Sequence, residues 1–342
     1  MGIHEALSAL AENRDLRTDE ATAAMQDIVN GTVPLDDIEQ FATVLRAKGE
    51  TADELTAMAQ VMRDSTVPVE ADGAILDTAG SGGDGLKSFN ISTVAAIVAA
   101  AAGARVAKQH DRAVSSRCGS TDLLEAFGVA YDLPPHAAAR CLRETDLCFL
   151  STARYHPAAF GHLSEANRDS SIRALLHLLS LLANPARAQH QLVGVADAHR
   201  AETVAEALRR LGTTHCLVVR GDDGMDEITC TRTTTVHEVV QGTVKSWTID
   251  PRELGVLLAP RHAILGGPPD ENALITRFLL EGKTSPYRNV AEMNAAAALL
   301  AADRVSSIEE GLALARETVG SGAALRKLQQ VIEVSQQLGT AV

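Results

Sequence analysis

The chain has 342 residues, of which 46% are hydrophobic but only 3% are aromatic, and its formal net charge at pH 7 is −13. A chain of this length can fold as one large domain or as two unequal ones. A core made of Ala, Leu and Val favours an α/β fold, with helices packed on a buried sheet. Because no run of basic residues is longer than Arg209-Arg210, the sequence disfavours a nucleic-acid partner.

The five cysteines are odd in number and never spaced as CxxC, which argues against a disulfide framework or a structural zinc site. We therefore expect reduced thiols and a cytoplasmic location. The N-terminus shows no basic region followed by an apolar one, so no export signal is expected. The most apolar run, residues 94–104, is shorter than the roughly 20 residues that cross a bilayer. It predicts a buried helix and no membrane association.

The first part of the chain, residues 3–62, has helical periodicity and few strand-forming residues, with breaks at Asn30-Gly31 and Val33-Pro34. It predicts a small all-α domain over residues 1–68. A second helical stretch, at residues 157–185, is expected to return to this domain.

The remaining chain, residues 69–342, is predicted to form a large α/β domain with a mostly parallel central sheet. A polar link that ends at Pro68 marks the boundary, and the first strand follows at residues 75–77. Further strand-like and helical segments then alternate, as in a parallel sheet with crossover helices. The predicted strands are residues 105–107, 147–150, 215–219 and 262–265, and the predicted helices are residues 92–102, 121–127, 201–211 and 292–302.

A glycine-rich segment, DTAGSGGDG at residues 77–85, follows the first predicted strand. Its glycines allow backbone N–H groups to approach an anion, and the NIST that follows opens a helix whose N-terminus favours negative charge. The segment matches neither the dinucleotide fingerprint nor a Walker loop. We predict a pyrophosphate site here, with the candidate residues Gly80, Ser81, Gly82, Gly83, Asp84, Asn90, Ser92 and Thr93.

A second segment, KQHDRAVSSRCGS at residues 108–120, also follows a short strand and precedes a helix. Taken alone it reads as a polar loop with a helix cap, but its Lys108 and Ser120 could also contact an anion. Two such loops on parallel strands meet at the carboxyl edge of the sheet, where open α/β sheets bind ligands. The two segments therefore predict one shared site.

These motifs resemble those of anthranilate phosphoribosyltransferases. The string DTAGSGGDGLKSFNIST is similar to the family's GTGGD and FNIST motifs, and KQHDRAVSSRCGSTDLLEAFG is similar to its KHGNR and SSxSGSxDxLExLG motifs. RYHPA, LLSLLANPA, QLVGV, GDDGMDE and NAAAALL extend the resemblance over nearly the whole chain. The resemblance implies a fold like those of nucleoside phosphorylases and phosphoribosyltransferases, and a homodimer formed through the small helical domain.

The implied reaction is the Mg²⁺-dependent transfer of the phosphoribosyl group of phosphoribosyl pyrophosphate (PRPP) to the nitrogen of an aromatic acceptor. Adjacent acids near phosphates suit Mg²⁺, and the resemblance places the metal on Asp226, Glu227 and Ser92. Lys108 and the N–H groups of the first loop would stabilise the leaving pyrophosphate, so that no protein nucleophile is required. The residues expected to position PRPP are Asn90, Thr93 and Ser120.

The acceptor side departs from the family pattern. The family's KHGNR carries His and Asn where this chain has Gln109 and Asp111, and the family Arg that pairs with the anthranilate carboxylate aligns with Ala166 or Asn167. Only Arg168 is an adjacent cation. Since a lost charge-assisted contact weakens binding by about 1.5–3 kcal/mol, we expect anthranilate to be a poor acceptor. The predicted acceptor-binding residues are Gln109, Asp111, Tyr155, His156, Ala166, Asn167 and Arg168.

Two alternatives stay open. A nucleoside phosphorylase of the pyrimidine class would share the fold and the phosphate loops, although inorganic phosphate would not require the Asp226-Glu227 pair. A non-catalytic relative that binds nucleic acid or protein would not need the GSGGD and NIST residues, and the negative charge of the chain opposes nucleic-acid binding.

Overall fold

The computed structural model describes residues 2–82, 84–112, 117–161 and 170–340. The strands of this part of the chain are β1 Leu76–Gly80, β2 Val106–His110, β3 Leu147–Ser151, β4 His190–Gly194, β5 His215–Gly221, β6 Thr234–Val240 and β7 Thr243–Ile249. They form one sheet in the order β3-β2-β1-β4-β5-β6-β7. The first five strands in this order are parallel, and β6 and β7 add an antiparallel hairpin. The predicted α/β fold with a mostly parallel sheet is confirmed.

Helices cover both faces of the sheet. The helices before β4 are α1 Ile3–Ala11, α2 Thr18–Asn30, α3 Leu35–Lys48, α4 Ala52–Asp64, α5 Ile91–Ala101, α6 Ser120–Phe127, α7 Pro135–Thr145, α8 Thr152–Tyr155, α9 Pro157–Phe160 and α10 Ser171–Leu181. Those after β4 are α11 Ala198–Arg210, α12 Pro269–Leu280, α13 Pro286–Ala301, α14 Ile308–Gly320 and α15 Ala323–Gly339. None of the described helices is long and apolar enough to span a bilayer.

The alternation of side chains along the strands separates two hydrophobic layers. Leu192 and Leu217 pack with the alanine-rich α5 and α13 on one face. Their neighbours Val193 and Val218 pack on the other face with α11, α10 and the four N-terminal helices. The helical stretch near the middle of the chain thus packs in the same layer as the N-terminal helices, which brings α10 to the edge of the sheet.

Three sequence-based assignments differ from the structure. Residues 262–265 were expected to form a strand, but a 3₁₀ helix, Arg261–Ile264, occupies most of this segment. Only Leu265 makes a strand-like bridge, to Ser88. The short apolar run resembles a buried strand, but apart from this bridge it has no ladder partner among the described residues. Strand β4 and the hairpin β6–β7 were not assigned from the sequence. All five cysteines are free and buried, in keeping with the expected thiols.

A buried carboxylate stabilises the N-terminal helices. Glu54, which is fully buried, accepts hydrogen bonds from the backbone N–H groups of Leu16 at 2.8 Å and Thr51 at 2.7 Å, and from Lys48 Nζ at 3.0 Å. We expect Glu54→Ala to lower the free energy of unfolding by about 3 kcal/mol, because it leaves buried donors unpaired. Denaturant unfolding measures this loss. The exposed Glu12→Ala is the control, and equal stability of the two variants would contradict the assignment.

Candidate active site

A cavity of about 470 Å³ lies at the carboxyl edge of the sheet. Its wall includes the loops after β1, β2 and β4, the turn after β5, and α10. The two phosphate loops predicted from the sequence therefore meet in one site. The predicted residues that line this cavity are Gly80, Ser81, Gly82, Asp84, Asn90, Ser92, Lys108, Gln109, Asp111, Ser120, Asp226 and Glu227.

Two adjacent carboxyl groups are buried in the wall of this cavity. Asp226 and Glu227 are each only 7% exposed. Burial raises the pKa of Asp226 to about 7, and the nearby Asp84 adds to the rise. Burial likewise raises the pKa of Glu227, and Asp226 adds to this effect, whereas Lys108 opposes it. Three acids therefore stand close together where their negative charge is poorly solvated.

A pair of glycines makes room for Asp226. Gly80 and Gly194 lie opposite each other at the ends of the neighbouring strands β1 and β4. A Cβ at Gly194 would lie 1.6 Å from the backbone oxygen of Asp226, and a Cβ at Gly80 would lie 2.7 Å from its Oδ2. No other residue type fits at Gly194 without moving the backbone of the acidic turn. Gly194 is not among the site residues predicted from the sequence.

The close approach of Gly194 to the backbone of Asp226 leaves no room for a side chain. We expect Gly194→Ala to weaken Mg²⁺-dependent PRPP binding at least tenfold and to destabilise the fold by about 1–3 kcal/mol, as overpacking usually does. Titration calorimetry and thermal melting measure the two effects. Gly320→Ala is the matched control, because a Cβ there meets no atom within 4 Å. An unchanged PRPP affinity in Gly194→Ala would show that the position of Asp226 does not matter for binding.

Lys108 lies in the interior next to these acids. It is 1% exposed, and its Nζ donates to the carbonyl oxygen of Thr78 and, at 3.2 Å, to Ser92 Oγ. Burial lowers its pKa, while Asp77 and Glu227 act in the opposite direction. A buried ammonium group held between two acids can neutralise an anion in the cavity without first losing a water shell.

The carboxyl groups fit a divalent cation. Asp84 Oδ2 is buried and has no hydrogen-bond partner among the described residues, and a cation would offset the shared negative charge of the three acids. Within the described ranges no group of three or more His, Cys, Asp or Glu side chains forms a complete metal site. Mg²⁺ typically takes one or two carboxylates and completes its shell with water and substrate phosphates. The chemistry of Asp226 and Glu227 suits that ion.

The backbone donors of the first loop are already paired in this structure. The N–H of Ser81 bonds to the carbonyl of Gly194 at 2.8 Å, and the N–H of Gly82 donates to Asp226 Oδ2 at 2.6 Å. The expected cradle of free N–H groups is therefore not present at these two residues. An anion would have to compete with Asp226 for the N–H of Gly82. Gly83 lies outside the described residues.

Of the three residues expected to position PRPP, two line the cavity and one lies behind its wall. Asn90 lines the cavity, where its Nδ2 donates to the carbonyl of Cys118 at 3.1 Å and its Oδ1 accepts from Asn272 at 2.9 Å. Ser120 also lines the cavity. Thr93 is fully buried, is absent from the cavity wall, and donates to Ser120 Oγ at 3.2 Å. Thr93 is thus placed behind the wall, where it orients Ser120.

The acceptor-side prediction needs a correction at two residues. Tyr155 and His156 do not line the cavity, since both are almost fully buried beneath its wall. The Tyr155 hydroxyl donates to the carbonyl of Leu133 at 2.7 Å. His156 Nε2 donates to Gln109 Oε1 at 2.9 Å, and burial lowers the pKa of His156 to about 4. His156 is therefore a neutral positioning residue for Gln109.

Gln109 is itself held by this network. Its Nε2 donates to the carbonyl of Ser180 at 2.7 Å and to Asp77 Oδ2 at 3.4 Å. With its oxygen occupied by His156, the side chain has little capacity left for a ligand. Gln109 contributes the shape of the wall. Asp111, whose Oδ1 accepts from the backbone N–H of Arg112 at 2.8 Å, brings a carboxylate to the cavity.

Helix α10 also lines the cavity, and its charged and imidazole side chains there, Arg173 and His177, were not predicted from the sequence. They are four residues apart and so lie on the same face of the helix. Arg173 Nε and His177 Nδ1 are buried without a hydrogen-bond partner among the described residues. Burial lowers the pKa of His177, whereas Asp111 acts to raise it. The expected acceptor residues Ala166, Asn167 and Arg168 lie outside the described residues.

Comparison with known proteins identifies the family. Residues 4–66 match the helical bundle domain of a glycosyl transferase family, and residues 72–325 match its a/b domain. The chain is 43% identical to the anthranilate phosphoribosyltransferase of Herpetosiphon aurantiacus, over 98% of this chain and 99% of that protein. These matches confirm the predicted resemblance and the predicted enzyme class, a phosphoribosyltransferase.

Solved structures agree with this result. The crystal structure of anthranilate phosphoribosyltransferase from Thermus thermophilus matches with a TM-score of 0.87 and 36% identity, over 97% of this chain and 99% of that chain. The Saccharomyces cerevisiae enzyme in complex with PRPP and Mg shares the fold, with a TM-score of 0.85 at 24% identity over 98% of each chain. The chain belongs to the anthranilate phosphoribosyltransferase family.

Proposed function

We propose that this chain transfers the phosphoribosyl group of PRPP, with Mg²⁺, to the nitrogen of an aromatic amine. The observation that supports it most is the meeting of buried acids, a buried lysine and two phosphate loops in one cavity. The family's name and the PRPP and Mg in the yeast relative point the same way. A dimer formed through the N-terminal helices remains part of the proposal.

The proposed roles follow from the geometry. Asp226 and Glu227, with Ser92 beside Lys108, would hold Mg²⁺. When bound, the ion neutralises charge on the departing pyrophosphate. Lys108 supplies a second, fixed positive charge to the same group, and its contact with Ser92 links it to the metal side of the site. Asn90 and Ser120 orient PRPP. The chain needs no nucleophile of its own, because the acceptor nitrogen attacks the ribose.

The acceptor is proposed to bind near α10. His177 Nε2 lies 3.4 Å from the carbonyl oxygen of Gly80, and this carbonyl can only accept, so the contact places the proton of the neutral ring on Nε2. Nδ1 is then left to accept an N–H from the acceptor amine. Arg173 offers a positive charge one helical turn away, while Asp111 offers a negative one from the loop after β2. The pocket thus combines both signs of charge.

The direct test is to incubate the protein with PRPP, Mg²⁺ and a panel of aromatic amines. Pyrophosphate release and the mass of a phosphoribosylated amine are the readouts. No transfer to any amine, together with phosphorolysis of pyrimidine nucleosides, would favour the phosphorylase alternative. Absence of both reactions, with binding of DNA or RNA in a gel shift, would favour the non-catalytic alternative.

A further inference from the structure

A second cavity, of about 510 Å³, lies at the other end of the sheet. The end of α4, the segment between α10 and β4, and the residues after α11 enclose it. Its wall includes Gln191, near the start of β4, whereas the active-site cavity lies where the strands end. The two cavities share no lining residue. Nothing in the proposed reaction uses this second cavity.

Two arginines give the second cavity a positive character. Arg63 is held in place, with Nε donating to the carbonyl of Leu182 at 2.6 Å and Nη1 donating to the carbonyl of Leu211 at 2.9 Å. Burial lowers the pKa of Arg63, and the positive charge of Arg187 adds to this effect, while Asp64 opposes it. Neither arginine forms an ion pair with any carboxylate of the described residues. Asp64 instead accepts from the Gln60 amide at 2.9 Å.

Two polar atoms at the same cavity also lack partners. Gln191 is 2% exposed and Thr213 is 6% exposed. Gln191 Nε2 donates to the carbonyl of Leu181 at 2.8 Å, which fixes the amide, but its Oε1 has no hydrogen-bond partner in the described chain, and neither has Thr213 Oγ1. Leaving such groups unpaired usually costs about 1–3 kcal/mol each, so that a native structure tends to supply a partner.

We propose that this second cavity binds a small oxyanion, a carboxylate or a phosphate, that also carries a hydrogen-bond donor. The anionic oxygens, from either a carboxylate or a phosphate, would pair with Arg63 and Arg187. The donor, an O–H or N–H group, would satisfy Gln191 Oε1. Arg63 is pre-positioned by the two carbonyls, and a guanidinium group recognises both kinds of oxyanion.

The wall of this cavity is connected to the active site by hydrogen bonds. Thr66, which lines the second cavity, lies 2.9 Å from His156 Nδ1. The other nitrogen of His156 holds Gln109, in the wall of the active site. Asn184 also lines the second cavity and donates to Asp77 Oδ2 at 2.7 Å. A bound anion is therefore expected to change the binding of the acceptor, a consequence that rests on the proposed function.

Binding is tested with two probes, inorganic phosphate and lactate, which represent the two sources of anionic oxygen. Mg²⁺ and pyrophosphate are added first to fill the active site, and the same titration without them checks that pyrophosphate does not occupy the second cavity. Calorimetry is expected to show one further site per chain for at least one probe. Arg187→Gln should weaken this binding about tenfold or more, as loss of a charge-assisted contact does. Arg187 is exposed, so the variant should fold normally.

Matched variants separate the outcomes. Arg140→Gln removes an exposed arginine whose ion pair, in the part of the chain that the structure describes, is with Glu144. This variant should leave the probe binding unchanged. Asp226→Asn combined with Glu227→Gln should abolish Mg²⁺-dependent pyrophosphate binding at the active site but keep probe binding at the second cavity. Failure of the proposed function is thereby distinguished from failure of this site. No saturable binding of either probe, or equal affinity in Arg187→Gln, would overturn the proposal.

The connection to the active site is tested by kinetics. A saturating probe should change the KM for the amine acceptor at least twofold in the wild type. Thr66→Val, which removes the hydroxyl beside His156, should abolish this change without loss of probe binding, and Thr66→Ser should keep it. A KM that does not respond to the probe in the wild type would refute the connection.

Discussion

The double variant Asp226→Asn, Glu227→Gln is expected to lose Mg²⁺-dependent PRPP binding by about 100-fold or more. Loss of a residue that only supports a metal ligand typically lowers metal affinity by about 10–100-fold. These two carboxylates are the proposed direct ligands, so a larger loss is expected. The amides keep the size of the side chains, so that packing against Gly80 and Gly194 is preserved. Calorimetry with PRPP, in the presence and absence of Mg²⁺, measures the effect.

The same variant should not be less stable than the wild type without metal. Both carboxyl groups are buried. Asp84 opposes the charge of Asp226, and Asp226 opposes that of Glu227, so that replacing the pair with neutral amides removes an unfavourable interaction. We expect an equal or higher melting temperature together with lost PRPP binding. The exposed Glu70→Gln serves as the control. Wild-type affinity for PRPP in the double variant would exclude these residues as the metal ligands.

Much of the donor side could be predicted because it depends on local sequence. A strand followed by a glycine-rich turn and a helix places Gly82, Asn90 and Ser92 at the edge of the sheet whatever the rest of the chain does. Lys108 could be predicted in the same way, because it lies near the end of the next strand along the chain. The role of Gly194 could not be predicted in this way, because it depends on where the backbone of Asp226 passes, 32 residues further along the chain by the numbering of the two residues.

The acceptor side was harder to predict for the same reason. Gln109 forms part of the cavity wall but offers no free polar atom to a ligand. Its side-chain oxygen and nitrogen are bonded to His156, Asp77 and the carbonyl of Ser180. These partners come from three separate segments. The family motif identifies the positions but not the direction of the side chains. One feature of the sequence could have pointed to Arg173 and His177: they are four residues apart on a predicted helix. Many pairs of surface residues share this spacing, so it does not identify a site by itself.

The arrangement of Asp111 and Arg173 has a consequence for acceptor choice. The expectation that anthranilate is a poor acceptor rested on the lack of a cation for its carboxylate. Arg173 supplies a cation at the cavity, but Asp111 supplies an anion there too. We therefore propose that the pocket discriminates weakly between a carboxylate and a neutral group beside the amine. Anthranilate and 2-aminobenzamide, which differ mainly in this charge, form a matched pair of acceptors.

For the wild type, the ratio of kcat/KM for anthranilate to that for 2-aminobenzamide is expected to lie within about tenfold of unity, a difference of 1.4 kcal/mol or less. Asp111→Asn should raise this ratio about tenfold, because it removes repulsion of the carboxylate. Arg173→Gln should lower it by about 10–100-fold, since a charge-assisted contact contributes about 1.5–3 kcal/mol. PRPP affinity, measured in each variant, is the control and should stay unchanged. A ratio that neither substitution alters would place the acceptor carboxylate away from α10 and leave the neighbouring Ala166, Asn167 and Arg168 as the segment to examine.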